Sequence, residues 1–267
     1  MTIAERGPDP LPEIHRVDIS DIPSVLAQGW RDFLRAPLFG LFFSSVYVAG
    51  GLILWRIYGV AGLEWWLAPL AVGFPLLAPF AAVGLYEVSR RLSSGEDLRW
   101  SAVLGVVLGQ KDRQIPAMAA VIIVAFLFWV FVAHALVALF LGLRAYSSGS
   151  DVMSLFLQGN GPLLLLVGSA VGAGFAGVLF SVTVAGLPLL LEREVDFVTA
   201  MIHSVQAVTA NIPAMVVWGM TITVLLALAM APAFLGLFIV LPVLGHASWH
   251  MYRRLSGEDP APDTAAS

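Results

Sequence analysis

The sequence predicts an all-α protein: a polytopic membrane helix bundle of about six transmembrane helices, with three shorter interfacial amphipathic helices. Three observations predict it. The 267-residue chain is 59% hydrophobic and only 12% charged, about half the charged fraction of a soluble domain. Apolar runs of about 20 residues, enough to cross a bilayer, recur along it. Between those runs stand short segments with helical apolar spacing, next to charges.

Composition also excludes. The chain has no Cys, so disulfides, thiolate nucleophiles, Fe–S clusters and Cys-zinc sites are ruled out. The net charge of −4 is small and spread through tails and loops, so no nucleic-acid partner is expected. The first 36 residues are polar and Pro-rich and lack a short apolar run with a cleavage site. No removable signal peptide is expected, and the first apolar run should remain as a membrane anchor.

Residues 1–20, with Pro8, Pro10 and Pro12, read as a polar, loosely attached tail, and residues 256–267 as another. A single membrane domain over 21–255 lies between them. It opens with Ile22, Val25, Leu26, Trp30, Phe33 and Leu34 at helical spacing, with Arg31, Asp32 and Arg35 off that stripe. An interfacial helix with Trp30 at headgroup level fits, as does a soluble helix packed on the protein's cytoplasmic side. Spans are expected at 38–58, at 65–88 with Pro69, Pro75 and Pro79 interrupting it, at 115–143 and at 163–191. The run 212–252 is too long for one helix and is divided at Ala231 and Pro232 into a tight hairpin.

Charge orients these spans. Of 14 Lys and Arg, only Arg56 and Arg144 fall after spans one and three. The other twelve lie before span one, after spans two and four, or after span six. Positive charge next to spans stays cytoplasmic, so both termini are expected inside and the 231–232 turn outside.

Short strings recur. QIPAM at 114–118 and NIPAM at 211–215 are offset by 97, and RRLSSGED from Arg90 and RRLSGED from Arg253 by 163. The second offset also lays Pro79 on Pro242 and Tyr86 on Trp249. The implied unit is amphipathic helix, X-Pro, span, outside turn, span and charged cytoplasmic end, over about 18–95, 97–193 and 194–257. Segments 100–108 and 197–208 are the counterparts of the stripe at 22–34.

The strings QGWRDFLRAPLFGLFF, GFPLLAPFAAVGLYEVSRRLSSGE, LPLLLEREVDFVTAM and LPVLGHASWHMYRR carry a resemblance over about 19–255. The chain resembles a bacterial inner-membrane family of six-span integral membrane proteins catalogued as a domain of unknown function. The resemblance implies a multi-pass inner-membrane location and no established activity. Some members carry a label similar to cytochrome c oxidase subunit I. Haem-copper chemistry needs several imidazoles facing one another within the membrane. With His15 in the tail and His203 on a short amphipathic segment, only His134, His246 and His250 remain, too few for that pattern.

The candidate functional residues are Glu87, His134, His246 and His250. Glu87 is the one acid within a span and stands three and four residues before Arg90 and Arg91, so an ion pair is expected; its sharper use is a coupling carboxylate for ion-driven transport. His246 and His250 share a helix face, as a metal-binding pair does, or meet headgroups at the end of span six. His134 lies in span three, bonded to a neighbouring helix or serving as a proton relay. The offset of 163 lays Glu87 on His250, predicting a polar clasp between spans two and six or a pH-sensitive gate. Gly168, Gly172 and Ala176 form a small-residue face on span four. Nothing matches a phosphate loop, a zinc-binding HExxH or a nucleophile elbow. Catalytic residues, metal ligands and cofactors are therefore given as none. The expected function is non-enzymatic: a scaffold, an assembly factor or the membrane subunit of a complex. A small transporter or channel is the alternative, and a haem- or metal-bearing redox subunit comes third. The lipid bilayer and a membrane-protein partner or second copy are the expected partners.

Overall fold

The computed structural model describes residues 10–58, 67–142 and 156–258. The expected outside loops around Arg144 and residues 59–66, and the chain ends 1–9 and 259–267, lie outside them. Among the described residues ten α-helices are bounded, in order: α1 (Ile22–Arg35), α2 (Pro37–Tyr58), α3 (Leu67–Ser94), α4 (Trp100–Gly109), α5 (Ile115–Leu141), α6 (Gly161–Thr183), α7 (Gly186–Glu192), α8 (Phe197–Ala210), α9 (Ile212–Met230) and α10 (Leu237–Leu255). No strand occurs among the described residues.

Local signals set the starts. A single 3-10 turn at Ile19–Asp21 leads into α1. Its capping box uses the Asp18 side chain and, reciprocally, Asp21, whose carboxylate accepts the Asp18 N–H at 2.8 Å. Asp196 caps α8 by accepting the Thr199 N–H at 2.9 Å. Proline stands at the start of α2 and in the first turn of α1, α5, α6 and α9, where it forfeits only an N–H without a helical partner.

The six long helices, α2, α3, α5, α6, α9 and α10, fall on the six expected apolar runs. Among the described residues α5, α9 and the stretch Gly161–Glu192 are each long and apolar enough to cross a membrane. Ile19–Arg35 and Pro37–Ile53 qualify together as a pair bent by 102°. The long helices adjoin in chain order, α2 on α3, α3 on α5, α5 on α6, α9 on α10, and α10 closes back onto α2 and α3. Each short helix packs on the end of the preceding group: α4 on α3, α8 on α6 and α7, and α1 on α10.

Burial is lopsided. In α5 only Ile115, Met118 and Ala119 are buried, and in α6 only Gly161 and Leu164. Beyond those turns the helices present Phe131, Leu139, Leu166 and, on α9, Leu228 outward, at 64–76% exposure. Apolar surface on this scale calls for hydrocarbon rather than water. Helix α10 is the opposite case. Its second half carries His246, Ser248, His250, Arg253 and Arg254, too polar to face lipid, and it is enclosed by α1, α2, α3 and α9. The main core forms around it: Val83, Tyr86, Ile115, Met118, Leu189, Met215, Trp218, Ala247, Trp249 and Tyr252.

Several expectations are corrected. Helix α3 runs unbroken through the prolines expected to interrupt it. The fourth apolar run divides after Thr183 into α6 and the buried α7. The α9–α10 hairpin turns over six residues, 231–236, with Ala233 and Phe234 in the left-handed region. Helix α4 is apolar around most of its girth, burying Val103 and Val107 while exposing Trp100 and Leu108. On α1 the stripe is rotated: Gly29 and Asp32 face inward, while Trp30 and Leu34 face outward. Residues 10–18 are strapped to the bundle rather than loosely attached. His15 N–H donates to the Leu255 carbonyl at 2.8 Å. Val17 N–H donates to Asn211 Oδ1 at 2.8 Å, and Asn211 Nδ2 returns a bond to the His15 carbonyl at 3.1 Å.

Gly29 marks the closest approach of α1 and α10. A Cβ there would stand 2.5 Å from the Val243 carbonyl oxygen and 2.7 Å from the Ala247 nitrogen, both backbone atoms that cannot swing away. Gly29→Ala should lower stability in detergent by roughly 1–3 kcal/mol. Gly105→Ala on α4, whose Cβ would meet nothing within 4 Å, should leave melting unchanged or raise it. Thermal melts of both variants check this; equal effects would mean that α1 does not pack on α10 at Gly29.

Candidate functional site

Half of the buried polar side chains among the described residues lie on α10 or on α1 and α3, which pack against it. Spacing explains how. His246, His250 and Arg254 recur every four residues and share one face. On α1, Asp21 and Ser24 stand near the start, and Asp32 follows Val25 and Gly29 at three- and four-residue steps. On α3, Ser89 comes one turn after Leu85. Asp32, Ser89, His246 and His250 are 5%, 0%, 0% and 7% exposed.

Their contacts tie three helices together. His250 Nε2 lies 2.7 Å from Asp32 Oδ2. His246 Nδ1 lies 2.8 Å from Ser89 Oγ, with the donor set by the ring tautomer. The Ser89 hydroxyl also favours the ionised form of Asp32. Arg254 donates to Ser24 Oγ at 2.7 Å and forms a short ion pair with Asp21. Burial alone would push the Asp32 carboxyl up. The hydrogen bond and charge of His250 outweigh that and hold it below the usual aspartate value.

Glu87 takes a different place from the one expected. Its carboxylate is 1% exposed and held by Arg90 Nε at 2.8 Å and Arg91 Nε at 2.6 Å. Both arginines also reach Glu96, at 3.0 and 3.3 Å. The predicted ion pair with Arg90 and Arg91 is present. The predicted clasp between Glu87 and His250 is not, because the two arginines saturate Glu87 and α1 brings Asp32 to His250. Tyr86 and Trp249, matched by the same offset, do stack across α3 and α10, with centroids 6.4 Å apart.

His246 and His250 sit inside protein rather than among headgroups. Each turns a ring nitrogen to a different helix, and no group of three His, Asp or Glu poised for a metal ion occurs among the described residues. His134 stays outside the cluster, exposed on α5, with Nδ1 2.7 Å from the Val130 carbonyl of its own helix. Gly172 meets Trp129 of α5, whereas a Cβ at Gly168 would meet nothing within 4 Å. A surface cavity of about 330 Å³ lies elsewhere, lined by Arg113, Gln114, Glu194, Val195 and Asp196.

Sequence reading missed Asp32, Ser89, Arg254 and Asn211. Asp32 was legible in principle, since it shares its helix face with Val25 and Gly29. Ser89 carried no signal, being one hydroxyl among several in VSRRLSS.

The network suits holding helices in register more than bond-making. Ser89 and His246 have no exposed surface, so a hydroxyl nucleophile there would meet no substrate. Removing one partner of a buried pair leaves the other uncompensated, at roughly 3–5 kcal/mol. Asp32→Ala and His250→Ala should each destabilise strongly, with a coupling of about 0.5–3 kcal/mol in a double-mutant cycle. Glu87→Gln and His250→Ala should instead add. Detergent melts of the two cycles check this, and the reverse pattern would return His250 to Glu87.

His203 on α8 gives a pH signature. Burial holds its imidazole below the ordinary histidine value, so the folded state binds fewer protons than the unfolded one just below about pH 6.5. Its contribution is complete above that pH and is lost as pH falls toward the lowered folded value. Melting temperature should drop between about pH 6.5 and 5, and His203→Gln should flatten that part of the curve. An unchanged slope in the variant would remove His203 as the cause.

No curated protein and no solved structure matches the chain. Residues 67–192, which carry Glu87 with its arginines, Ser89 and His134, match the model of the family described as predicted integral membrane protein (DUF2189), and the chain is an integral membrane protein similar to that family.

Proposed function

We propose that the protein is a non-enzymatic, six-span component of the bacterial inner membrane, acting as a scaffold, assembly factor or membrane subunit of a complex, with both termini cytoplasmic. The observation that carries this reading is the use of its buried ionisable groups. Asp32 with His250 and Asp21 with Arg254 join α1 to α10, Ser89 with His246 joins α3 to α10, and Glu87 is paired with Arg90 and Arg91 within α3. The charge distribution supports the orientation. The triple repeat is supported by the short–long–long helix order and by QIPAM and NIPAM serving alike: Gln114 Oε1 accepts the Phe197 N–H at 3.4 Å, and Asn211 Oδ1 accepts the Val17 N–H at 2.8 Å.

A small transporter or channel is the second reading. His246 Nε2, Trp249 Nε1 and Trp218 Nε1 are buried without a hydrogen-bond partner among the described residues. Buried polar atoms of this kind are satisfied by internal water, and water beside α10 would be the start of a polar path.

Mild-detergent purification of the intact protein, with identification of what accompanies it, separates the readings. A stoichiometric membrane-protein partner supports the first. Proton or solute flux in proteoliposomes that falls with His246→Ala, with no partner retained, supports the second. For orientation, a reporter fused after Ser267 should read as cytoplasmic and one inserted at Pro232 as periplasmic. A periplasmic reading at Ser267 would overturn the topology.

A further inference from the structure

The bend between α1 and α2 sets the two helices 102° apart. With α2 along the membrane normal, α1 lies close to the membrane plane. Its inner face, Ile22, Val25, Gly29 and Phe33, is buried, and its acids are turned away from the outside: Asp32 is paired with His250, and Asp21 with Arg254. The outer face therefore keeps only positive charge, from Arg31 and Arg35, both exposed. Arg31 Nε donates to the Ala27 carbonyl of its own helix at 3.3 Å, and neither arginine forms an ion pair among the described residues. Beside them runs an exposed apolar ridge, Trp30 at 44%, Leu34 at 58%, Leu38 at 67% and Phe42 at 47%. Phe42 meets Trp100 edge-on at 5.3 Å, and Phe39 stacks on the same indole at 4.0 Å.

We propose that the outer face of α1 is a binding surface for anionic phospholipid, with the guanidinium groups of Arg31 and Arg35 on the headgroup phosphates and Trp30, Leu34 and Leu38 among the upper acyl carbons. The chemistry fits on three counts. Guanidinium donors match phosphate oxygens as a fork. Indole rings settle at headgroup depth, where Trp30 and Trp100 are exposed. Apolar side chains along one edge of a helix in the membrane plane enter the acyl boundary. The buried Asp32–His250 contact supplies the geometry: with the acid turned inward, the arginines point outward without a competing carboxylate. The inference rests on the proposed cytoplasmic, interfacial placement of α1.

The test uses the full-length protein in nanodiscs and mild detergent. Native mass spectrometry compares retention of phosphatidylglycerol and phosphatidylcholine by wild type, Arg31→Gln/Arg35→Gln and Arg31→Lys/Arg35→Lys. Wild type should prefer phosphatidylglycerol, the glutamine variant should lose about fivefold in preference per arginine, and the lysine variant should keep part of it. Inorganic phosphate at millimolar concentration should not displace the lipid; displacement would show a phosphate-ion site and overturn the proposal. Wild-type melting in the glutamine variant would show that the loss is not unfolding; a preference lost only together with the fold would overturn the proposal. The chain has no Cys, so a spin label at Leu34→Cys reports the placement separately. A label in bulk water would overturn the interfacial placement itself. A label at headgroup depth with an unchanged lipid preference in the glutamine variant would overturn the lipid site alone.

Discussion

The contact between Asp32 and His250 is the constraint around which the bundle is arranged. A helix that must carry two histidines and two arginines in its last three turns cannot lie against hydrocarbon. The chain encloses α10 with α1, α2 and α3 and supplies His246, His250 and Arg254 with partners from α3, from α1 and from the turn before it. That requirement explains why α1 is short and amphipathic, why its Gly29 lets backbones approach within contact distance, and why a hydroxyl, Ser89, stands in the last two turns of α3. The helices without such groups, α5, α6 and α9, need no enclosure and present their apolar flanks outward.

Much of the fold was legible in the sequence because lipid imposes few solutions. Apolar runs of span length, prolines at their entrances and the low charge fraction located the six long helices, though not the break after Thr183. The interior of the cluster was less legible, for a definite reason. Helical periodicity ranks residues by hydropathy and so placed Asp32 with Arg31 and Arg35 on the polar side. The structure ranks them by partner: the Asp32 carboxylate has an imidazole on another helix and is buried, while Trp30 faces outward. Repeat alignment has the same blind spot. It laid Glu87 on His250, whereas Arg90 and Arg91 hold Glu87 and Asp32 meets His250.

The α1–α10 contact also has a consequence in time. Asp32 and His250 are separated by 218 positions, and the strap through His15 and Val17 reaches Leu255 and Asn211, near the far end of the chain. Synthesis delivers the first helices long before the last. Until α10 emerges, Asp32 lacks its imidazole partner and the His15 N–H lacks the Leu255 carbonyl. The contact of α1, α2 and α3 with α10 forms only once α10 is in place, so until then the bundle is an open arc. Truncation anywhere before α10 would leave that arc open, exposing the acid of α1 and the hydroxyl of α3 together, a surface that quality-control proteases and insertases can read as unfinished.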